Sequence, residues 1–110
     1  MHTTEPLLEL DAPALERAAP LAGIGRKSGD LVVGLSAVRR TQDLALIVLE
    51  SSISHHTHTE LARRRRAGVL VFQVDSLSPL TAAIGRQDAR VVGVKRGPLA
   101  EGMIARLQDG

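Results

Sequence analysis

The chain has 110 residues, 44% of them apolar and 24% charged, with no Cys, Trp or Tyr and one aromatic side chain, Phe72. This describes one soluble globular domain and excludes a disulfide scaffold, Cys-ligated zinc, a thiol nucleophile and an aromatic platform for stacking bases. The net charge of +2 is uneven: residues 1–22 carry Glu5, Glu9, Asp11 and Glu16 against Arg17, whereas the remainder holds 13 basic and 8 acidic side chains.

Residues 1–10 are read as an acidic, flexible N-terminus and residues 11–110 as a single domain. Asp11 is a helix cap with Pro13 in the first turn, and Leu15 and Ala19 continue an apolar stripe that Pro20 interrupts. Leu31-Val32-Val33 is a short strand closed by Gly34, and Leu35, Val38 and Gln42 recur at helical spacing behind it. Leu44–Leu49 is a continuous apolar run of the kind that forms a central strand covered on both faces. It is far shorter than the roughly 20 residues that cross a bilayer, and no signal peptide opens the chain, so no membrane partner and a cytoplasmic location are expected.

Ser54 and Thr57 are alternative caps for a helix predicted over Ser54–Ala67, with Gly68 as its stop. Val69–Val74 is the third strand. Ser78-Pro79 opens a helix ending at Gly85, Val91–Val94 is the fourth strand, and Gly97-Pro98 starts a last helix carrying Leu99, Met103, Ile104 and Leu107. Strands separated by helical segments need crossover connections, which predicts an α/β fold: a three-layer α-β-α sandwich around a four-stranded mixed sheet.

Twelve of the fourteen basic residues are Arg, whose planar fork suits phosphate oxygens and guanine edges. They form three clusters: Arg26, Lys27, Arg39 and Arg40; Arg63–Arg66; and Arg86, Arg90, Lys95 and Arg96. Four consecutive arginines on a helix fan over about 300°, so Arg63–Arg66 read as a solvated helix end favoured by the macrodipole. In the first cluster, Gly34 permits a sharp turn, Leu35–Val38 starts a helix whose free N–H groups attract phosphate, and Arg40 lies on the face of Ser36. The plainer reading of the same stretch is an ordinary strand-to-helix turn with surface arginines.

His55, His56 and His58 lack a completing ligand, so they read as a polar helix start, with no metal and no cofactor expected. Glu50 with Ser51 and Ser52 at a strand end is the one arrangement resembling a catalytic group. No nucleophile elbow or phosphate loop accompanies it, and turn and capping chemistry accounts for it.

The order Gly25-Arg26-Lys27-Ser28-Gly29-Asp30-Leu31-Val32-Val33-Gly34, then Leu46-Ile47-Val48-Leu49-Glu50-Ser51-Ser52, then Leu80-Thr81-Ala82-Ala83-Ile84-Gly85, then Arg90-Val91-Val92-Gly93-Val94 resembles the kink-turn-binding ribosomal protein family L-seven-Ae and L-thirty-e, in particular its bacterial single-domain members. The resemblance covers residues 21 to about 107. It implies the same sandwich and RNA binding through the turn after the first strand, the following helix and the loop before the last strand. In the family's kink-turn binders, Asn-Glu follows one residue after the glycine, with Lys three residues beyond the Glu, and these side chains read tandem sheared G·A pairs. Ser36, Ala37 and Arg40 stand at those positions here. Ala37 accepts nothing from a guanine, and the loop Gly85–Arg90 is polar and basic where the family's is often apolar, so recognition of shape and backbone is expected.

The reading is therefore a non-enzymatic, ribosome-associated protein that binds structured, kink-turn-like RNA, with ribosomal RNA and ribonucleoprotein components as partners. Lys27, Gly34, Ser36, Arg39, Arg40, Arg86 and Arg90 are its contact residues. The rival is a protein-interaction or assembly module on the same fold that has lost specific RNA recognition.

Overall fold

The structure, a computed structural model, describes residues 7–109. The chain runs β1 (Leu8–Leu10), α1 (Ala12–Ser28), β2 (Leu31–Val33), α2 (Leu35–Arg40), β3 (Leu44–Glu50), α3 (His55–Ala62), β4 (Leu70–Val74), α4 (Ser78–Thr81), β5 (Val91–Lys95) and α5 (Pro98–Gln108). Short 3-10 segments, Arg63–Ala67 and Ala82–Ile84, extend α3 and α4.

The fold is mixed α/β, and its sheet has five strands in the order β1-β4-β3-β5-β2, one more than the sequence predicts. The additional strand is Leu8-Glu9-Leu10, which pairs parallel to β4 with Leu8 opposite Phe72. Leu7 is buried beside it, so the described part of segment 1–10 is held on the sheet, while residues 1–6 lie outside the described residues. A three-residue strand with Glu9 at its centre has too little apolar alternation to be visible on its own; its pairing comes from β4.

β1, β3 and β4 are parallel, β5 runs antiparallel to β3, and β2 is antiparallel to β5. The C-terminal ends of β1–β4 and the start of β5 therefore lie at one end of the sheet, and the N-terminal ends of β1–β4 and the close of β5 at the other. Successive side chains of β3 point to opposite faces. Leu46 and Val48 join one apolar cluster with α1, α5 and Phe72, whereas Ile47 and Leu49 join a second with Val38 of α2 and Leu61 of α3. The uninterrupted apolar run of β3 is thereby explained, since both its faces are buried.

Asp11 caps α1 by accepting from the Ala14 N–H at 3.0 Å. The helix passes through Pro20 unbroken; Pro20 and Glu16, whose carbonyl loses its usual donor there, both occupy exposed positions where water can satisfy the acceptor. Of the two candidate caps for α3, Ser54 acts, accepting from the Thr57 N–H at 3.2 Å. The predicted helix Ser54–Ala67 tightens to a 3-10 turn after Ala62 and stops at Gly68, whose φ of 87° is left-handed.

Candidate nucleic-acid interface

Gly34 ends β2 with φ 94° and ψ 156°, a region open essentially to glycine alone. Its N–H donates to the Val91 carbonyl at 2.8 Å, which fixes the turn against the start of β5. A β-carbon placed on Gly34 would sit 3.8 Å from Nη2 of Arg86. The turn after β2 and the loop before β5 are thus neighbours. With the start of α3 they enclose a cleft of about 390 Å³ whose walls include Leu35, Ile53, Thr57, Arg86 and Arg90.

The loop is braced from several sides. Gly85 adopts φ 70°, the Arg86 N–H donates to the Thr81 carbonyl at 2.9 Å and that of Ala89 to Arg86 at 3.0 Å, and the Arg90 carbonyl accepts from the Glu50 N–H at 2.9 Å. Ala89 is buried beneath it. Glu50 also holds this end of the sheet through its side chain, accepting from the Leu77 N–H at 2.8 Å and from Ser52 Oγ at 3.1 Å. Both carboxylate oxygens are committed to turn chemistry.

The expected contact residues divide into three groups. Gly34, Arg86 and Arg90 meet at the cleft, and Ser36 is exposed in the first turn of α2 beside it. Arg86 is not a bare cation, because Nε and Nη2 hold the Asp88 carboxylate at 3.1 and 3.4 Å. These hydrogen bonds keep Asp88 below and Arg86 above their ordinary pKa values. Arg90 is exposed and pairs with no carboxylate among the described residues.

Arg39 turns to α3, where Nε and Nη2 grip the Glu60 carboxylate at 2.9 and 2.8 Å. The same bonds hold Glu60 below its ordinary pKa. Arg40 is exposed in the last turn of α2. Lys27 lies in the last turn of α1, before β2 begins, and so at the opposite end of that strand from Gly34.

Two roles were not legible in the sequence. Arg64 caps α2: Nη1 donates to the Thr41 carbonyl at 3.1 Å and Nη2 to those of Val38 and Arg39, each at 3.3 Å. His58 Nε2 lies 2.7 Å from Gln73 Oε1 and ties α3 to β4. Both partnerships join segments distant in the chain, so no local spacing announces them. Among the described residues no group of three or more His, Asp or Glu side chains is placed to hold a metal ion, and no helix is long and apolar enough to cross a membrane.

No family model and no curated protein matches the chain. Solved structures do. A protein of unknown function from Bacillus halodurans is 22% identical with a TM-score of 0.62, the match covering 89% of this chain and 99% of the other. The Giardia lamblia 15.5-kDa RNA-binding protein is 16% identical with a TM-score of 0.65, over 97% of this chain and 93% of that one. At these identities the likeness is one of fold.

Proposed function

We propose that this chain is a non-enzymatic RNA-binding protein that recognises structured, kink-turn-like RNA and works on the ribosome or a related ribonucleoprotein, with its specific contacts at the cleft. The observation that carries the reading is the meeting of Gly34, Arg86 and Arg90 around one braced cleft. The turn after β2 and the loop before β5 are the segments that the family resemblance implies for RNA contact. The shared fold with an RNA-binding protein of Giardia supports the reading, and the two apolar clusters on opposite faces of the sheet support the α-β-α layering of the same family.

With Ala37 at the position where the family carries Glu, recognition proceeds through backbone shape and phosphates. Arg90 offers a free guanidinium, and Arg86 is released to phosphate when Asp88 exchanges its partner for water. The Arg86–Asp88 pair and Ala37 also favour a second reading, an assembly module that keeps the fold and binds protein instead.

Fluorescence anisotropy separates the two, using a kink-turn RNA, the same RNA with its G·A pairs replaced, and a duplex of equal length. The RNA reading predicts binding to all three that weakens with salt, with preference for the intact kink-turn. Absence of binding to every RNA contradicts it and leaves the assembly module.

A further inference from the structure

Parallel order has a consequence for charge. The connections entering β2, β3 and β4, and the one leaving β5, all lie at the end of the sheet away from the cleft. They carry Arg26–Lys27, Arg39–Arg40, Arg63–Arg66 and Lys95–Arg96, ten of the chain's fourteen Lys and Arg side chains. The carboxylates among them are Asp30, Asp43 and Glu60, with Glu101 in the first turn of α5. At the cleft end, Arg86 and Arg90 stand among Asp11, Glu50, Asp75 and Asp88.

Backbone and side-chain hydrogen bonds join these segments into one surface. Arg64 reaches the Thr41 carbonyl, the Arg96 N–H donates to Asp43 at 2.9 Å, and the Lys95 N–H donates to Asp30 at 2.8 Å. Across strands β4, β3, β5 and β2 this row spans about 14 Å, three intervals of about 4.8 Å. The structure also sorts the arginine run. Arg64 and Arg65 turn to backbone carbonyls, whereas Arg63 and Arg66 are exposed. Arg26, Lys27, Arg40, Arg63, Arg66 and Lys95 are exposed and hold no ion pair or side-chain hydrogen bond among the described residues.

We infer that this end of the sheet is a second RNA-contact face, which neutralises phosphates of a duplex segment other than the one at the cleft. The inference rests on the RNA reading above and extends it: β3 separates the two ends by about 20 Å, six rises of about 3.3 Å, so one chain touches two stretches of RNA. Separate, unpartnered cations spread along a row match the repeated charges of a phosphate backbone, and most of them are arginines, whose forks suit phosphate oxygens.

The test compares two variants of the full chain, Arg26→Gln/Lys27→Gln/Arg63→Gln/Arg66→Gln and Arg86→Gln/Arg90→Gln, both checked for fold by circular dichroism. Affinity for a 20-base-pair RNA duplex is measured by anisotropy across a salt series. The fourfold variant is expected to bind at least tenfold more weakly near 100 mM salt, with a log–log salt slope shallower by about 3, since each lost phosphate contact removes about 0.7–0.9. The cleft variant is expected to lose no more than about 2 of slope on the same ground.

A fourfold variant that keeps the intact affinity and slope while the cleft variant loses them overturns the second face and leaves the RNA reading standing. Equal binding of the intact chain to polyglutamate overturns it in favour of a protein-binding face. No binding of the intact chain to any RNA removes the RNA reading itself.

Discussion

The two ends of the sheet differ in how many cations they gather: two arginines at the cleft, one of them paired and one free, against ten Lys and Arg side chains at the other end, six of them free among the described residues. At the cleft end, Arg86 is held by Asp88 inside a loop that four backbone hydrogen bonds and a buried alanine brace. At the other end, most cations stand exposed without a carboxylate, on connections that differ in sequence but converge in space. A braced site with little net charge suits discrimination of shape. A row of free cations suits affinity without discrimination, because phosphate contacts carry no sequence information. Net charge and specific geometry thus occupy separate places in this small chain.

The largest change is expected where the cleft end is most constrained. Gly34→Ala places a β-carbon in a backbone region nearly closed to it, which should lower stability by about 2–3 kcal/mol; a urea titration measures it. The β-carbon itself meets only an ordinary contact with Arg86, 3.8 Å away, so backbone strain is the whole cause. Hydrogen exchange should show loosening at Val91 and Leu35 before Lys95.

Glu50→Ala removes the acceptor of the Leu77 N–H at the same end. A loss of about 2 kcal/mol is expected for an orphaned donor to a charged partner, and amide exchange at Leu77 should accelerate. An unchanged Leu77 would mean that water replaces the carboxylate and that this end is less braced than its geometry implies.

The opposite end is tested by Arg64→Met, which leaves the carbonyls of Val38, Arg39 and Thr41 without their guanidinium. Partial exposure lets water compensate in part, so about 1.5 kcal/mol is expected, with faster exchange in α2 and the 3-10 turn and little change in the loop Gly85–Arg90. Loosening at both ends together would show that the sheet does not keep them independent.

The smallest effect concerns acid. Glu60 has a folded-state pKa below its ordinary value, so the unfolded chain takes up its proton first as pH falls. The contribution of the Arg39–Glu60 pair is present at neutral pH and is lost below about pH 4.5. Urea midpoints measured from about pH 7 to pH 3 should fall further for the intact chain than for Glu60→Gln. Asp88, also lowered by its arginine, adds to the fall in both proteins.

Much of the fold was legible because its strands declare themselves. Leu44–Leu49 reads as a strand covered on both faces, and both apolar clusters receive its side chains. β1 was not legible, since Leu8-Glu9-Leu10 becomes a strand only when β4 is beside it. The candidate site was legible in part. Gly34 and the loop Gly85–Arg90 were expected to share a surface and do.

In sequence, Lys27 falls in one basic cluster with Arg26, Arg39 and Arg40 and counts among the contacts with Gly34, yet the structure sets Lys27 and Gly34 apart. β2 lies between them and carries the chain from one end of the sheet to the other. Arg63–Arg66 read in sequence as a solvated helix end, but the run is a 3-10 segment in which only Arg63 and Arg66 are exposed, while Arg64 and Arg65 turn to carbonyls of α2 and of Ala62. Proximity along the chain is a poor guide to charge placement wherever a strand intervenes.

The most direct test is to map the RNA on the folded chain by amide chemical shifts, adding a kink-turn RNA with a flanking duplex arm to the isotope-labelled protein. The expected perturbations form two separate patches, one at Gly34, Leu35 and Arg86–Arg90 and one at Lys27, Arg66 and Lys95, the second fading first as salt is raised. Perturbations confined to another surface, or a single patch indifferent to salt, would contradict the division of labour between the two ends of the sheet.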